Sequence, residues 1–247
     1  MITIISPAKN MDPKRSKTPP KTIPVFMEKT QEIVAKLRTY SPFDLQELMK
    51  INEKLSVDSM ERYRVMCFDH KGTSAIETYD GIQYKYMNIH NLTEEEKEFT
   101  QEHIRILSGA YGVVKPYDSI YEYRLEMLTK LPLRDKKNLY DYWGKDLYEE
   151  LFKNQDVIIN LASNEYSKCI QKYLQPQDTF ITCIFKVMNK GSYKVLATAA
   201  KMARGRMVEY IVKNQIHDPQ QVKEFKEDGF YFDPSLSTDK EFVFLKG

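Results

Sequence analysis

The chain opens on MITIISPA, an apolar, β-branched run broken at Pro7, and this pattern predicts a buried strand that delivers Ser6 and Lys9 at its end. Phe26, Thr30, Ile33 and Leu37 recur at helical spacing, so residues 25–39 read as an amphipathic helix. Ser41 followed by Pro42 supplies an N-cap and a first-turn proline for a second helix, with Leu45, Leu48 and Met49 as its buried stripe. Asp58 and Glu61 have the spacing of a capping box and start a third. In TEEEKEFTQEHIRILSG, Thr93 caps, Glu96 answers it, and acids crowd the positive end of the helix dipole. Phe99, His103, Ile106 and Leu107 then share one face until Gly109 stops the helix.

Further along, SIYEYRLEML alternates imperfectly and reads as a strand, and Asn138 begins a helix through Phe152 that carries Trp143. DVIINLA is a short continuous apolar run, the pattern of a fully buried strand, and Ser163 directly after it is placed to cap a helix through Ile170. TFITCIFKV and YKVLA flank Asn189, Lys190 and Gly191 as a β-hairpin. A helix over 198–214 follows, and EFVFL adds an edge strand. No internal repeat is visible. The elements make an α+β protein, a mixed sheet surrounded by helices in a single domain spanning 1–247, without regular βαβ alternation.

Composition narrows the class. A chain of 247 residues, 42% of them hydrophobic, can bury one sizeable core. Its 37 basic and 35 acidic residues nearly cancel, so an electrostatic function must rest on local segregation of charge. Such segregation is visible at the start, where Lys9, Lys14, Arg15, Lys17 and Lys21 share a proline-broken stretch with a single acid, Asp12. Cys67, Cys169 and Cys183 are odd in number and widely spaced, the N-terminus lacks a signal-peptide pattern, and no apolar run approaches a membrane span. A cytoplasmic protein with no membrane partner is expected.

The candidate chemistry centres on KMARGRM. Ala200, Ala203, Met207, Tyr210, Ile211 and Asn214 form one helical stripe, while Lys201, Arg204, Gly205 and Val208 flank it and Arg206 and Lys213 point away. Glycine costs a helix interior about 1 kcal/mol relative to alanine. Beside two cations it would let another backbone or a ligand approach closely. The competing reading pairs Arg204 with a buried acid such as Glu126 or Glu165. Ser6, Lys9, Asn160, Ser163 and Glu165 all fall at predicted strand ends, with Arg124 and Glu126 in YEYRLEM, and strand carboxyl ends are where mixed sheets place ligands. These residues are expected to assemble one cationic cleft.

IISPAK, LSGAYGVVKPYDSIYEYRLEM, NLYDYWG, INLASNEY, KMARG and FKEDGFYFD, in this order and spacing, resemble the YaaA family of peroxide stress proteins over nearly the whole chain. The resemblance implies a bacterial cytosolic protein that limits hydrogen peroxide damage, with lowered free iron and protection of DNA. It also implies an unusual α+β fold with a positively charged cleft and a helix-hairpin-helix element that binds DNA, duplex or branched, without strong sequence preference. The family's signature positions fall on Ser6, Pro7, Lys9, Ser108, Gly109, Tyr111, Gly112, Arg124, Glu126, Trp143, Asn160, Ser163, Glu165, Tyr166, Lys201, Arg204 and Gly205. YDGIQYKYM departs from the family at Ile82 and Gln83, and Lys115 stands where relatives carry arginine. LSGAYG is the string nearest to the glycine-containing turn of a helix-hairpin-helix, and the Ser41-Pro42 turn has no glycine.

Three functional readings stand side by side. The first is a DNA-binding stress protein whose phosphate contacts come from Lys9, Lys14, Arg15, Lys17 and Arg204. The second is an enzyme using the same cleft on a phosphate-bearing or nucleotide substrate, with carboxylates among cations for acid/base work. The third is direct iron binding, which His70, His90, His103 and His217 do not support, since none has paired ligand spacing. No cofactor and no resident metal are implied.

Overall fold

The computed structural model describes residues 1–247. Its strands are β1 (Ile2–Ile5), β2 (Asn10–Met11), β3 (Thr73–Ser74), β4 (Tyr79–Asp80), β5 (Ile104–Ser108), β6 (Gly112–Val114), β7 (Ser119–Ile120), β8 (Val157–Leu161), β9 (Thr179–Asn189), β10 (Ser192–Lys194), β11 (Tyr231–Phe232) and β12 (Glu241–Lys246). Its helices are α1 (Met27–Leu37), α2 (Pro42–Met49), α3 (Glu53–Val65), α4 (Ala75–Thr78), α5 (Ile82–Lys85), α6 (Glu94–His103), α7 (Leu139–Trp143), α8 (Asp146–Phe152), α9 (Asn164–Gln171) and α10 (Ala197–Lys213). One mixed sheet flanked by helices holds the domain together, in the order β11-β12-β9-β8-β1-β5-β6 with β10 hairpinned on β9.

The apolar runs explain the middle of that sheet. β1 is buried at every position and β8 at all but its first, the pattern of strands covered on both faces. β1 pairs in parallel with β5 and β8, and β8, β9 and β12 continue the parallel set. Ranked along the chain, these parallel strands stand in the order 2-1-3-4-5, which the sequence pattern did not suggest. The order reverses between β1 and β8, and a crevice opens beyond strand ends at such a reversal. The remaining strands add antiparallel edges.

Several boundaries differ from the sequence expectation, each for a tertiary reason. The helix capped by Thr93 and Glu96 forms with its capping box, but it ends at His103 because Ile104 to Ile106 pair with Thr3 to Ile5. LSGAYG is therefore a β5–β6 turn and not a helix stop. The third helix starts one turn and more ahead of Asp58, with Asn52 accepting from the Leu55 amide. Of SIYEYRLEML only Ser119 and Ile120 pair, with β3. The helix from Asn138 breaks at Gly144, where φ is 53°. EFVFL is no edge, since β12 lies between β9 and β11. The β9–β10 hairpin turns on Lys190 and Gly191, both at positive φ, as a two-residue hairpin loop requires.

No helix is long and apolar enough to cross a membrane. Cys169 and Cys183 are buried, and burial pushes both thiols up to about 12, which makes them packing groups rather than nucleophiles.

Candidate functional site

Ser6 leaves the end of β1 and Ser163 the end of β8, so the two meet where the strand order reverses. The Ser163 amide donates to Ser6 Oγ at 2.8 Å, and the Ser6 hydroxyl donates to Ser163 Oγ at 3.2 Å. Ser163 occupies the N-cap position of α9 as expected, but its hydroxyl makes no capping bond because it turns to Ser6. Tyr84 donates to the Ser6 carbonyl at 2.9 Å, which ties α5 to the same point.

Around this floor lies a cavity of about 320 Å³. One wall comes from α5 and α10 and presents Gln83, Lys201 and Arg204. These helices approach closely only because residue 205 is glycine: a Cβ there would sit 2.7 Å from Tyr86 Cβ and far inside contact distance of the Gln83 carbonyl oxygen. Another part of the lining is the unpaired segment carrying Arg124 and Glu126, together with Glu165 on α9. Glu165 Oε1 accepts from the Leu128 amide at 3.2 Å, and Lys9 Nζ pairs with Glu126 at 2.9 Å. Behind them a buried hydroxyl chain runs from Ser108 through Tyr123 to Tyr79, with links of 2.7 and 2.8 Å. Burial pushes the Tyr123 phenol up to about 12, so this chain is a neutral scaffold at physiological pH.

The charges in the cleft are unevenly matched. Asp80 is held by Arg15 at 2.7 Å and Lys85 at 3.6 Å, and Glu126 is held by Lys9. Burial, with Glu126 nearby, holds the Glu165 carboxyl above the usual carboxylate range. Arg204 pairs with no carboxylate, and neither Glu126 nor Glu165 serves it. Burial pulls its guanidinium below the usual arginine range. Arg204 Nε, Arg124 Nε and Gln83 Nε2 are all buried without an acceptor.

The structure thus brings Ser6, Lys9, Arg124, Glu126, Ser163, Glu165, Tyr166, Lys201 and Arg204 to one cleft. Other expected site residues lie elsewhere. Gly205 is buried against α5, so its freedom serves backbone packing and not a ligand. Asn160 is buried below the floor, donating to Thr182 Oγ1 at 3.2 Å and accepting from the Ala162 amide at 2.9 Å. Gly109 leaves room for the Leu125 carbonyl, its own carbonyl accepts from Trp143 Nε1 at 3.1 Å, and Tyr111 accepts from the Tyr121 amide at 2.9 Å. With Gly112, which packs against Trp143 at φ 73°, they support the wall from behind. Lys14 and Lys17 stand outside the cleft, and Arg15 reaches it only through Asp80.

Sequence reasoning missed Asp80 and passed over the site role of Gln83 and Tyr84. YDGIQYKYM stood out only as a departure from relatives, and its α5 turn carries no motif. It also missed Glu77. That buried carboxylate accepts from the Lys17 and Thr18 amides at 2.5 and 2.9 Å and from the Thr18 hydroxyl at 2.7 Å, which fastens the basic loop to the body of the domain.

The class of protein is a single α+β domain whose mixed sheet reverses its strand order beside a small cleft. The particular family follows from comparison. The family model described as peroxide stress protein YaaA matches residues 1–236, and the chain belongs to that family. It is 50% identical to a UPF0246 protein of Clostridioides difficile over 246 residues, covering 100% of both chains. It is 39% identical to a UPF0246 protein of Ligilactobacillus salivarius, again over 100% of both. A third UPF0246 protein, from Lachnoclostridium phytofermentans, is 42% identical over 100% of this chain and 97% of its own.

Proposed function

We propose that this peroxide stress family member acts through its switch-point cleft by binding a phosphate-bearing anion. One observation carries the reading: Gln83, Arg124 and Arg204 each bury a donor without an acceptor, and all of them line the cleft. Leaving a buried donor unpaired costs about 1–3 kcal/mol, which phosphate oxygens arriving from outside would recover. Lys201 adds an exposed cation on α10, the helix that carries Arg204. The volume of about 320 Å³ is at the low end of the roughly 300–1,000 Å³ of small-ligand pockets, enough for one small molecule or one nucleotide unit. Glu165, whose carboxyl burial holds above the usual carboxylate range, gives the site an acid/base group, so an enzymatic step on such a ligand fits the same geometry. Phosphate is expected to raise the unfolding temperature above that in chloride of equal ionic strength, because a ligand that binds only the folded state stabilises it. Identical unfolding temperatures in the two salts would overturn the anion reading.

A second reading keeps DNA as a partner, and the α2–α3 pair favours it. These helices pack on each other across the turn Lys50, Ile51, Asn52, with Lys50 at φ 53° and exposed, which makes them the best candidate for the expected helix-hairpin-helix element. LSGAYG, inside a β-hairpin, is the weaker candidate. Lys50 and Lys54, with Lys14 and Lys17 on the basic loop, would supply sequence-independent phosphate contacts. Affinity for a duplex should then fall about tenfold or more between 50 and 200 mM salt, at roughly 0.9 in log–log slope per phosphate neutralised. A salt-independent affinity would exclude phosphate contact. Limiting iron-dependent oxidative damage in the cytoplasm would proceed through DNA or the cleft ligand in this reading. No group of three or more His, Cys, Asp or Glu side chains stands together as a metal site, and His103 packs on His217 and Phe99 instead.

A further inference from the structure

We infer that the cleft takes a phosphate ester whose other end carries hydroxyl or amino donors, a sugar phosphate or nucleoside monophosphate, in preference to a bare anion; this step rests on the anion-binding reading. The two walls differ in chemistry. The α5–α10 wall offers two cations, Lys201 and Arg204, and the unpartnered Gln83 Nε2. The other wall carries Arg124 beside Glu126 and Glu165, and the carboxylate oxygens accept hydrogen bonds and repel a second anionic group. Lys9 neutralises Glu126, while Glu165 makes no ion pair and accepts from the backbone of the neighbouring segment. Between the walls, the Ser6 and Ser163 hydroxyls lie at the end of the parallel strands.

A free phosphate meets one wall and leaves the carboxylates unused. A phosphate ester of a polyol satisfies both, with its phosphate on Arg204, Lys201 and Gln83 and its hydroxyls donating to Glu165. Carboxylates that accept from ribose hydroxyls are a recurring device beside phosphate sites at strand carboxyl ends. The requirement is therefore polar at both ends and anionic at one, which selects against simple inorganic anions and against uncharged nucleosides.

Calorimetric titration of the full chain with inorganic phosphate, ribose 5-phosphate, AMP, dAMP and adenosine tests this. Ribose 5-phosphate is expected to bind about tenfold or more tightly than inorganic phosphate, the gain of a hydrogen bond to a charged group. AMP binding tighter still identifies a nucleotide, equal affinities identify the sugar phosphate, and a deficit for dAMP locates the 2′-hydroxyl on the acidic wall. Glu165→Ala should abolish the gain of ribose 5-phosphate over phosphate while leaving phosphate itself bound as well or better, and Glu165→Gln, which keeps an acceptor, should restore part of it. Thermal unfolding of both variants confirms that they are folded. Ribose 5-phosphate binding no tighter than phosphate, or a gain that survives Glu165→Ala, overturns the inference and leaves the anion reading intact. Adenosine binding as tightly as AMP, or no binding by any phosphate compound, overturns both.

Discussion

Arg204→Met should bind phosphate at least tenfold more weakly than the wild type while unfolding at the same temperature or higher. Most core substitutions lose stability, so this combination is diagnostic. The Arg204 guanidinium is half-buried, has no carboxylate partner, and leaves Nε without an acceptor. Burying an unpaired charge opposes folding, and the downward shift of its pKa by burial carries the same sign. Methionine keeps an unbranched stem in the wall and removes the charge, so the unliganded protein gains up to about 1 kcal/mol, discounted for partial exposure. The phosphate loses a charge-assisted hydrogen bond, worth about 1.5–3 kcal/mol. Met207→Ala supplies the contrast on the same helix. Met207 is fully buried, and its truncation should cost about 2–5 kcal/mol while the remaining folded molecules bind normally. Thermal unfolding and phosphate titration of both variants decide the matter. An Arg204→Met protein destabilised by several kcal/mol would mean that the side chain holds the fold together, and the anion reading would lose its main support.

Gly205→Leu should fail to fold or lose more than about 3 kcal/mol, and Gly205→Ala should lose about 1–3 kcal/mol despite gaining helix propensity. Even a methyl group at this position meets backbone, the Gln83 carbonyl, and not the end of a side chain that could swing aside. Relief requires α5 to move away from α10, and α5 carries Gln83 and Tyr84 into the cleft. Whatever fraction of Gly205→Ala folds should therefore also bind phosphate less well, since its wall is displaced. Circular dichroism and phosphate titration of the alanine variant check both halves. An alanine variant as stable as the wild type would show that the two helices tolerate separation. The glycine of KMARGRM thus buys a close approach of two helices, and the two cations beside it profit from the cleft that this approach creates.

The site was legible where residue type and position coincide with a strand end. Ser6 and Ser163 follow apolar runs that can only be buried strands, and a cation within a turn of them in sequence or on a helix flank was enough to name Lys9, Arg204 and Lys201. Illegible were residues whose role depends on a partner far along the chain. Asn160 sits at a strand end as the other site residues do, but its amide is consumed by Thr182 and Ala162. Arg15 reads like the other bases of its loop, yet it alone meets Asp80.

The local patterns by themselves determined that α1, α2, α9 and α10 form near where they do, that β1 and β8 are buried, and that Lys190 and Gly191 turn a hairpin, because periodicity, caps and turn residues act within a few positions. Only the tertiary structure decided that Ile104–Ser108 is a strand and not the last turn of a helix, that β1 and β8 are neighbours at the reversal of strand order, and that Arg204 has no acid beside it. Each of these depends on contacts between segments separated by tens of residues or more, and an apolar run or an unpaired charge carries no local mark of which distant segment will meet it.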